Sequence, residues 1–249
     1  MLNHDAALAW LARWDRQQQG YLPDREERFT ALIDAVEALG RPDPLVVDLG
    51  CGPGSLSARL MERLPQARVV AVDTDPLLLA LGRAAYPHLT FVSADLRTPG
   101  WTDALGLDRP ADAAVSTTAL HWIGPGELKE VYAAVASILR PGGLLLNGDH
   151  LDTDDTTPAL AALERALLDR QAKRVFGDDR PESWSDWWDA IKADPDLTEL
   201  VEARATAAAH HDTESNLLSD HVKALRAAGF TEIGTLWQRG NDRLLCAVR

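Results

Sequence analysis

The chain opens with helical periodicity and then changes to short apolar runs separated by helical stretches. Within the first 40 residues, apolar positions recur at helical spacing, most clearly at Phe29, Leu32, Ile33 and Val36. These positions and the weaker stripe before them predict two helices. From residue 45 onward, short apolar runs alternate with helical stretches, which favours a parallel sheet covered by helices on both faces.

Seven strands and four core helices follow from this alternation. The predicted strands are 45–47, 68–72, 90–92, 113–115, 143–147, 230–237 and 244–248. The predicted core helices are 55–64, 76–85, 127–139 and 217–228. Because the turn at 238–242 is short, the last two strands must run antiparallel. The expected fold class is α/β, with a sheet that is parallel except for its last strand.

The segment 152–212 interrupts the alternation with polar helical stretches, predicted at 158–175, 183–191 and 197–210. We therefore expect residues 1–249 to form one domain. Its predicted parts are a helical cover (1–40), a core (41–151), a helical lid insert (152–212), and a last core helix with an antiparallel strand pair (213–249). His210 and His211 fall at a predicted helix end and receive no role.

Charge and cysteine content restrict the function classes. The chain carries 25 Lys and Arg against 38 Asp and Glu, a net charge of −13, which argues against a nucleic-acid or anionic-membrane partner. Cys51 and Cys246 lack metal-site or disulfide-framework spacing and fit a reducing, cytoplasmic compartment. The first residues do not follow the signal-peptide pattern, and no apolar run is long enough to span a membrane.

The stretch Val46-Val47-Asp48-Leu49-Gly50-Cys51-Gly52-Pro53-Gly54-Ser55 connects a predicted strand to a helix. Glycines there permit a sharp turn and close approach of the backbone to a ligand, and the following helix start presents unpaired N–H groups. The dinucleotide pattern G-x-G-x-x-G requires a third glycine where the chain has Ser55. The pattern D-x-G-x-G-x-G is matched at every fixed position.

This second pattern, in its context, resembles the first motif of class I S-adenosylmethionine-dependent methyltransferases. The resemblance continues through Asp73 after the second strand, Asp95 after the third, the turn at 139–143, and Ala-Ala-Gly-Phe at 227–230. It implies a Rossmann-like seven-stranded methyltransferase sheet. The stretch Thr118–Ile123 is similar to the trans-aconitate and malonyl-carrier-protein methyltransferase branch, which suggests a small-molecule acceptor.

The resemblance also implies the cofactor, S-adenosylmethionine, with S-adenosylhomocysteine as product. Asp48 would contact the methionine amino group, Asp73 the ribose hydroxyls, and Asp95 the adenine amino group. In similar enzymes the region of Tyr21, Arg25 and Arg28 closes over the cofactor, where an arginine can pair with its carboxylate. The expected cofactor-binding residues are Asp48, Gly50, Cys51, Gly52, Gly54, Asp73, Thr74, Asp95, Leu96, Thr117, Tyr21 and Arg28.

His121 is the candidate catalytic residue, because a neutral imidazole can accept a proton from an acceptor near neutral pH. The alternative is a loop histidine packed on Trp122. Candidate substrate-binding residues are Trp122, His150, Trp184 and Trp188. Asp149 beside His150 raises the possibility of a metal, which we reject because the loop after strand four offers no carboxylates. A carboxylate acceptor would instead require a cation, and the insert offers Arg170, Lys173, Arg174 and Arg180.

Three functions stay open at this point. The first is methyl transfer to a small molecule; the second is a nicotinamide-linked oxidoreductase; the third is a cofactor-binding module without turnover. The loop after strand four has no Asn/Asp-Pro-Pro-Tyr/Phe sequence and no nucleophilic cysteine, which argues against a nucleic-acid methylase. The oligomeric state is not predicted.

Overall fold

A computed structural model describes residues 2–154, 156–206 and 216–249 of the chain. The helices are α1 (His4–Tyr21), α2 (Arg25–Glu37), α3 (Ser55–Arg63), α4 (Pro76–Ala85), α5 (Pro125–Ile138), α6 (Pro158–Phe176), α7 (Trp184–Ala193), α8 (Thr198–Thr206) and α9 (Leu218–Ala227). The strands are β1 (Leu45–Leu49), β2 (Arg68–Asp73), β3 (Thr90–Ser93), β4 (Ala111–Thr117), β5 (Leu139–His150), β6 (Glu232–Arg239) and β7 (Asp242–Val248). A 3₁₀ turn, Leu120–Trp122, follows β4.

The strands of the described ranges form one sheet in the order β3-β2-β1-β4-β5-β7-β6. β1 to β5 pair in parallel, whereas β7 lies antiparallel between β5 and β6. Only Gly240 and Asn241 separate β6 from β7, so the chain must fold directly back on itself. The predicted α/β class and the single antiparallel last strand are confirmed. The strand order reverses between β1 and β4, where open α/β sheets bind ligands.

The structure contains the predicted helices and strands, with small shifts at their ends. Pro76–Ala85 has the expected bounds, and Asp75 caps it by accepting hydrogen bonds from the N–H groups of Leu77 and Leu78. β5 begins at Leu139 instead of residue 143, since Leu139 pairs with Ala111 before a register shift. The apolar pattern alone does not reveal this extension, because the added residues include Pro141 and Gly142.

Helices cover both faces of the sheet. On one face, α5 and α9 contribute Tyr132 and Leu225 to a buried cluster with β1, β4 and β5. On the other, α2 and α3 pack Phe29, Leu32 and Leu60 against β1, β2 and β4. This two-sided burial explains why the central strands read as continuous apolar runs.

The N-terminal helix packs against α4 and the insert through a third cluster, rich in tryptophan. Trp187, which is fully buried, stacks edge-on against Trp10 and Trp14, with ring centroids 5.8 and 5.0 Å apart. This contact places α1 and α7 beside each other, above the carboxyl end of the sheet.

The last helix of the insert is described only in part. α8 begins at Thr198 and is described to Thr206, whereas residues 207–210 of the predicted helix, with His210 and His211, lie outside the described residues. The predicted boundary between 212 and 213 lies there too. Among the described residues, none of the helices is long and apolar enough to cross a membrane.

Candidate active site at the carboxyl end of the sheet

A glycine-rich loop connects β1 to α3. Gly50 has a φ of +66°, and a Cβ at this position would lie 2.4 Å from Cβ of Ala119. Gly54, with a φ of +87°, precedes α3, and its Cβ would lie 2.7 Å from Cζ of Phe91. Only glycine meets both requirements, which are a left-handed backbone and close packing against neighbouring elements. The loop therefore brings the backbone close to the space above β1.

Asp73 at the end of β2 holds this loop in place. Its Oδ2 accepts a hydrogen bond of 2.7 Å from the N–H of Gly52, and its Oδ1 accepts one of 2.8 Å from the N–H of Asp75. Burial raises the pKa of Asp73 above its usual value, although these hydrogen bonds oppose the shift. The carboxylate thus connects the glycine loop to the start of α4.

A cavity of about 620 Å³ opens above the glycine loop, within the roughly 300–1,000 Å³ typical of small-molecule sites. It lies at the carboxyl ends of β1 to β5. Most of the sequence-predicted site residues line it together: Tyr21, Gly50, Cys51, Gly52, Asp73, Thr74, Asp95, Leu96, Thr117, His121, Trp122, His150, Trp184 and Trp188. Trp14, Gln18, Arg25 and Arg204 also line it.

Three predicted cofactor residues do not line this cavity: Asp48, Gly54 and Arg28. A Cβ at Gly54 would lie against the ring of Phe91. Asp48 is fully buried in β1, where its Oδ2 accepts a hydrogen bond of 2.6 Å from the hydroxyl of Ser57. Burial raises the pKa of Asp48 to about 7, and its Oδ1 has no partner among the described residues. The side chain lies beneath the loop.

Arg28 is an internal residue, which corrects the expectation that it faces the cofactor. Its Nη1 donates a hydrogen bond of 2.6 Å to Oδ1 of Asp242, and its Nη2 donates one to Oγ1 of Thr117. Both charged side chains are almost completely buried. The guanidinium joins α2 to β4 and β7 below the cavity, and Arg25, one turn earlier, is the arginine that reaches the wall.

Asp95 and Arg97 form a bidentate ion pair beside the cavity. Nε of Arg97 lies 3.0 Å from Oδ1 of Asp95, and Nη2 lies 2.8 Å from Oδ2. The backbone N–H of Arg97 also donates to Oδ1 of Asp95. The carboxylate predicted to meet adenine is thus oriented by its own loop, since planar guanidinium and carboxylate groups match in geometry.

His121 is held by Asp149, a contact that the sequence did not reveal. Nδ1 of His121 lies 2.8 Å from Oδ1 of Asp149, and the backbone N–H of His121 lies 3.3 Å from Oδ2. Burial of Asp149 acts to raise its pKa, but the charge and hydrogen bond of His121, together with the charges of Arg28 and His150, lower it below its usual value. An ionised carboxylate at Nδ1 selects the tautomer in which Nε2 accepts a proton.

The loop that carries His121 begins with a strained residue. Thr118 has a φ of +50°, the only positive φ of a non-glycine residue in the described ranges. Its N–H donates a hydrogen bond of 2.9 Å to the carbonyl of Gly148 on β5. Because Asp149 follows Gly148 in β5, this bond holds the loop after β4 against β5 and brings His121 near Asp149. Such strain is common at functional sites.

His150, at the end of β5, places a second imidazole on the cavity wall. Burial lowers its pKa, so the neutral ring is favoured. Its Nε2 is buried and has no hydrogen-bond partner among the described residues. A buried polar atom without a partner is uncommon, and this one is positioned to bond a ligand in the cavity.

The cations predicted for the insert do not line the cavity. Arg170, Lys173, Arg174 and Arg180 are all exposed. The reason is that α6 docks elsewhere: Glu164 accepts a hydrogen bond of 2.5 Å from Arg243 of β7. Among the described residues, the cation that the insert places at the cavity is Arg204 of α8.

We find no group of three or more His, Cys, Asp or Glu side chains placed to hold a metal ion within the described ranges. Asp149, which beside His150 had suggested a metal, is the partner of His121.

Comparison with known proteins connects this geometry to a family. Residues 46–143 match the family model described as methyltransferase domain. The chain has a methyltransferase fold. The O-methyltransferase family protein from Burkholderia thailandensis superposes with a TM-score of 0.58 over 99% of this chain and 63% of its own, at 19% identity. CalS10, a Micromonospora echinaspora amino pentose methyltransferase solved with S-adenosylmethionine, gives 0.56 over 90% of each chain, at 17% identity.

Curated relatives match about half of the chain. The trans-aconitate 2-methyltransferase of Azoarcus sp. is 38% identical over 133 residues, which are 53% of this chain and 49% of the relative. The Escherichia coli protein of the same name is 37% identical over 116 residues, 45% of this chain and 42% of its own. The match thus spans about half the length of these relatives. The predicted resemblance of the methyltransferase core is confirmed.

Proposed function

We propose that the protein transfers a methyl group from S-adenosylmethionine to a small-molecule acceptor. The observation that carries this proposal is the position of the cavity. It opens directly on the loop Gly50–Gly52, within the stretch that matches the methyltransferase family. The similarity does not favour the oxidoreductase alternative, which shares only the general sheet architecture.

The glycine loop and the acids at the ends of β2 and β3 would hold the methyl donor. Residues 50–52 leave the space that a bound amino-acid group needs, and Asp73 and Thr74 lie where the ribose is expected. Asp95 and Leu96 border the adenine position. Tyr21 and Arg25 also line the cavity, and Arg25 is held there by a hydrogen bond to Asp15. For Asp48, which lies beneath the loop, we propose support of the loop through Ser57 instead of direct contact.

The bound donor supplies an electrophilic methyl carbon on a positively charged sulfur. The protein's main contribution is then positioning, which can lower a barrier by roughly 7–11 kcal/mol. We assign His121 as the general base toward the acceptor, with Nε2 as the accepting atom and Asp149 as the positioning residue. A base contributes about 10²–10⁴-fold when the nucleophile loses its proton in the transition state.

We propose one domain for residues 1–249, with the four parts predicted above. In this division the cover (1–40) and the insert (152–212) enclose the acceptor, while 41–151 and 213–249 form the cofactor core. Trp184 and Trp188 of the insert line the same cavity as Gly50 of the core, which supports the proposed enclosure. A cytoplasmic location and the lack of a nucleic-acid partner remain proposals from composition.

The proposed function is tested with isotope-labelled S-adenosylmethionine, the purified full chain and a small-molecule extract of its source organism. Transfer of label to a small molecule is the expected result. If S-adenosylhomocysteine binds but nothing becomes labelled, the protein is a cofactor-binding module without turnover. Binding of NAD(P) in place of S-adenosylhomocysteine would support the oxidoreductase.

A further inference from the structure

The wall of the cavity contributed by α1 and α7 is aromatic. Trp14, Trp184 and Trp188 all line the cavity, with Trp184 in ring contact with the other two at centroid distances of 5.3 and 5.7 Å. Trp184 is 40% exposed, so part of its surface is open to a ligand. Trp122 lines the cavity beside His121, with ring centroids 4.8 Å apart. A flat, apolar ligand would find indole surfaces at both places.

The arginines of this cavity already have carboxylate partners. Arg25 donates a hydrogen bond of 2.9 Å to Asp15, and Arg204 donates one of 2.7 Å to Asp75. Arg97 is paired with Asp95. The guanidinium of Arg204 also lies 3.8 Å from the ring centroid of Trp188, which fixes its plane. Among the described residues, the arginine charge lining the cavity is balanced by acids.

This balance bears on the charge of the acceptor. A polycarboxylate that enters the cavity loses hydration, and that loss must be compensated by cations. Arg25, Arg97 and Arg204 can compensate it only by giving up their present hydrogen bonds to Asp15, Asp95 and Asp75. A neutral acceptor requires no such exchange, and the indole surfaces favour it.

We propose that the acceptor is a neutral planar aromatic alcohol, a phenol, whose ring stacks on the Trp14–Trp184–Trp188 wall and whose hydroxyl faces His121. This inference rests on the proposed methyl transfer and specifies its substrate class. It differs from what the names of the curated relatives would suggest, and those relatives match only about half of this chain. Their matched segments account for 53% of this chain or less, and Trp184, Trp188 and Arg204 lie in the insert.

The reaction balances with the groups present. Nε2 of His121 takes the hydroxyl proton, and the phenol oxygen forms a bond to the methyl carbon. The carbon–sulfur bond breaks, and its electron pair stays on sulfur. The products are an aryl methyl ether, S-adenosylhomocysteine and a proton that passes from His121 to water. A phenol requires a base, which explains a histidine oriented by a buried carboxylate.

Binding separates the possible acceptor classes. The full chain saturated with S-adenosylhomocysteine is titrated with 2-naphthol, with 2-naphthoate and with trans-aconitate, and tryptophan fluorescence is followed. We expect 2-naphthol to bind at least about tenfold more tightly than either anion. 2-Naphthoate shares the ring and differs in charge, so it isolates the effect of acceptor charge on binding.

Tighter binding of trans-aconitate or 2-naphthoate overturns the assignment, and so does the absence of binding by both naphthyl probes. These outcomes leave the proposed function intact as long as S-adenosylhomocysteine itself binds. If it does not bind, the proposed function fails together with the inference.

A tryptophan variant tests the wall itself. In Trp184→Ala, 2-naphthol should bind about three- to tenfold more weakly, and Trp184→Phe should restore most of the affinity. The hydrogen bond of 3.0 Å from Trp184 to Tyr21 comes from the backbone N–H and is retained in both variants. Leu236→Ala, a substitution at an exposed position of β6 that does not line the cavity, serves as control. Equal 2-naphthol affinity in Trp184→Ala and wild type would contradict stacking on this wall.

Discussion

Nδ1 of His121 lies 2.8 Å from Oδ1 of Asp149, although 28 residues separate them in the chain. The contact joins the loop after β4 to the end of β5. It turns a histidine whose function the sequence left undecided into one with a fixed ring orientation. In the proposed catalysis, His121 therefore acts together with Asp149.

Because His121 and Asp149 have different proposed roles, their substitutions should affect kcat and its pH dependence differently. His121→Ala removes the base and should lower kcat by about 10²–10⁴-fold on an acceptor that must lose a proton. Asp149→Asn keeps the imidazole but removes the anion, so kcat should fall by at least about tenfold with little change in KM. Because the imidazolium loses its anionic partner, the acidic limb of the kcat/KM profile should move to lower pH.

Both variants should bind S-adenosylhomocysteine like wild type, as measured by calorimetry. Turnover of His121→Ala within a few-fold of wild type would show that His121 is not the base. An unshifted pH profile in Asp149→Asn would leave Asp149 with a merely structural role.

Arg28 should be a stability residue. Arg28→Met leaves Asp242 buried without its cation, which typically costs about 3–5 kcal/mol of unfolding free energy. Urea unfolding at neutral pH measures the loss. Asp242→Asn in the Arg28→Met background should recover part of it, because the uncompensated charge is removed. If the S-adenosylhomocysteine affinity falls sharply while stability is unchanged, Arg28 is a ligand contact after all.

Asp48 should make stability depend on pH. Its pKa in the folded protein, about 7, lies above the ordinary 3.8, so the fold favours the neutral acid. The associated stability is fully present below about pH 4 and is lost as pH rises toward 7. Relative to Asp48→Asn, wild type should therefore lose about 2–4 kcal/mol of unfolding free energy between these limits.

The matched control for Asp48 is Asp43→Asn, because the side chain of Asp43 is 60% exposed. Urea unfolding of this variant should follow the pH dependence of wild type. A difference between wild type and Asp48→Asn that does not change with pH would contradict the raised pKa.

Substitution of Gly50 should weaken ligand binding by displacing the glycine-rich loop. In Gly50→Ala the new methyl group would overlap Cβ of Ala119, so the loop must move and S-adenosylhomocysteine should bind more than about tenfold more weakly. Gly40→Ala is the matched control, since Gly40 has a similar φ of +64° but no neighbour within 4 Å of the added atom. It should cost about 1–2 kcal/mol of stability and leave affinity unchanged. Equal affinities in both glycine variants would show that the loop does not form the ligand site.

Much of this architecture could be predicted because local patterns determine it. The alternation of strands and helices predicts the sheet, and the short turn before Asp242 requires β7 to be antiparallel. The loop Gly50–Gly54 could be recognised because its backbone conformation requires glycine. Asp73 was expected at this edge of the sheet because it follows the second predicted strand and resembles the ribose-binding acid of the methyltransferase family.

Tertiary contacts account for what the sequence did not reveal. Asp149 could be placed at the carboxyl end of β5, but no local pattern says that its side chain turns toward His121. Arg28 was assigned to the cofactor because of its charge. Its position one turn before Leu32, on the buried stripe of α2, was the available signal that it points inward. Arg174 is exposed because of how α6 packs against the sheet. That packing includes a hydrogen bond between Glu164 and Arg243, which are 79 residues apart in the chain.

The central claim is that the cavity above Gly50 and Asp73 binds the methyl donor. Calorimetric titration of the full chain with S-adenosylhomocysteine and, separately, with NADP⁺ tests it most directly. The account predicts saturable binding of S-adenosylhomocysteine at one site per chain and no heat of binding for NADP⁺. Saturable binding of NADP⁺ with no response to S-adenosylhomocysteine would contradict it.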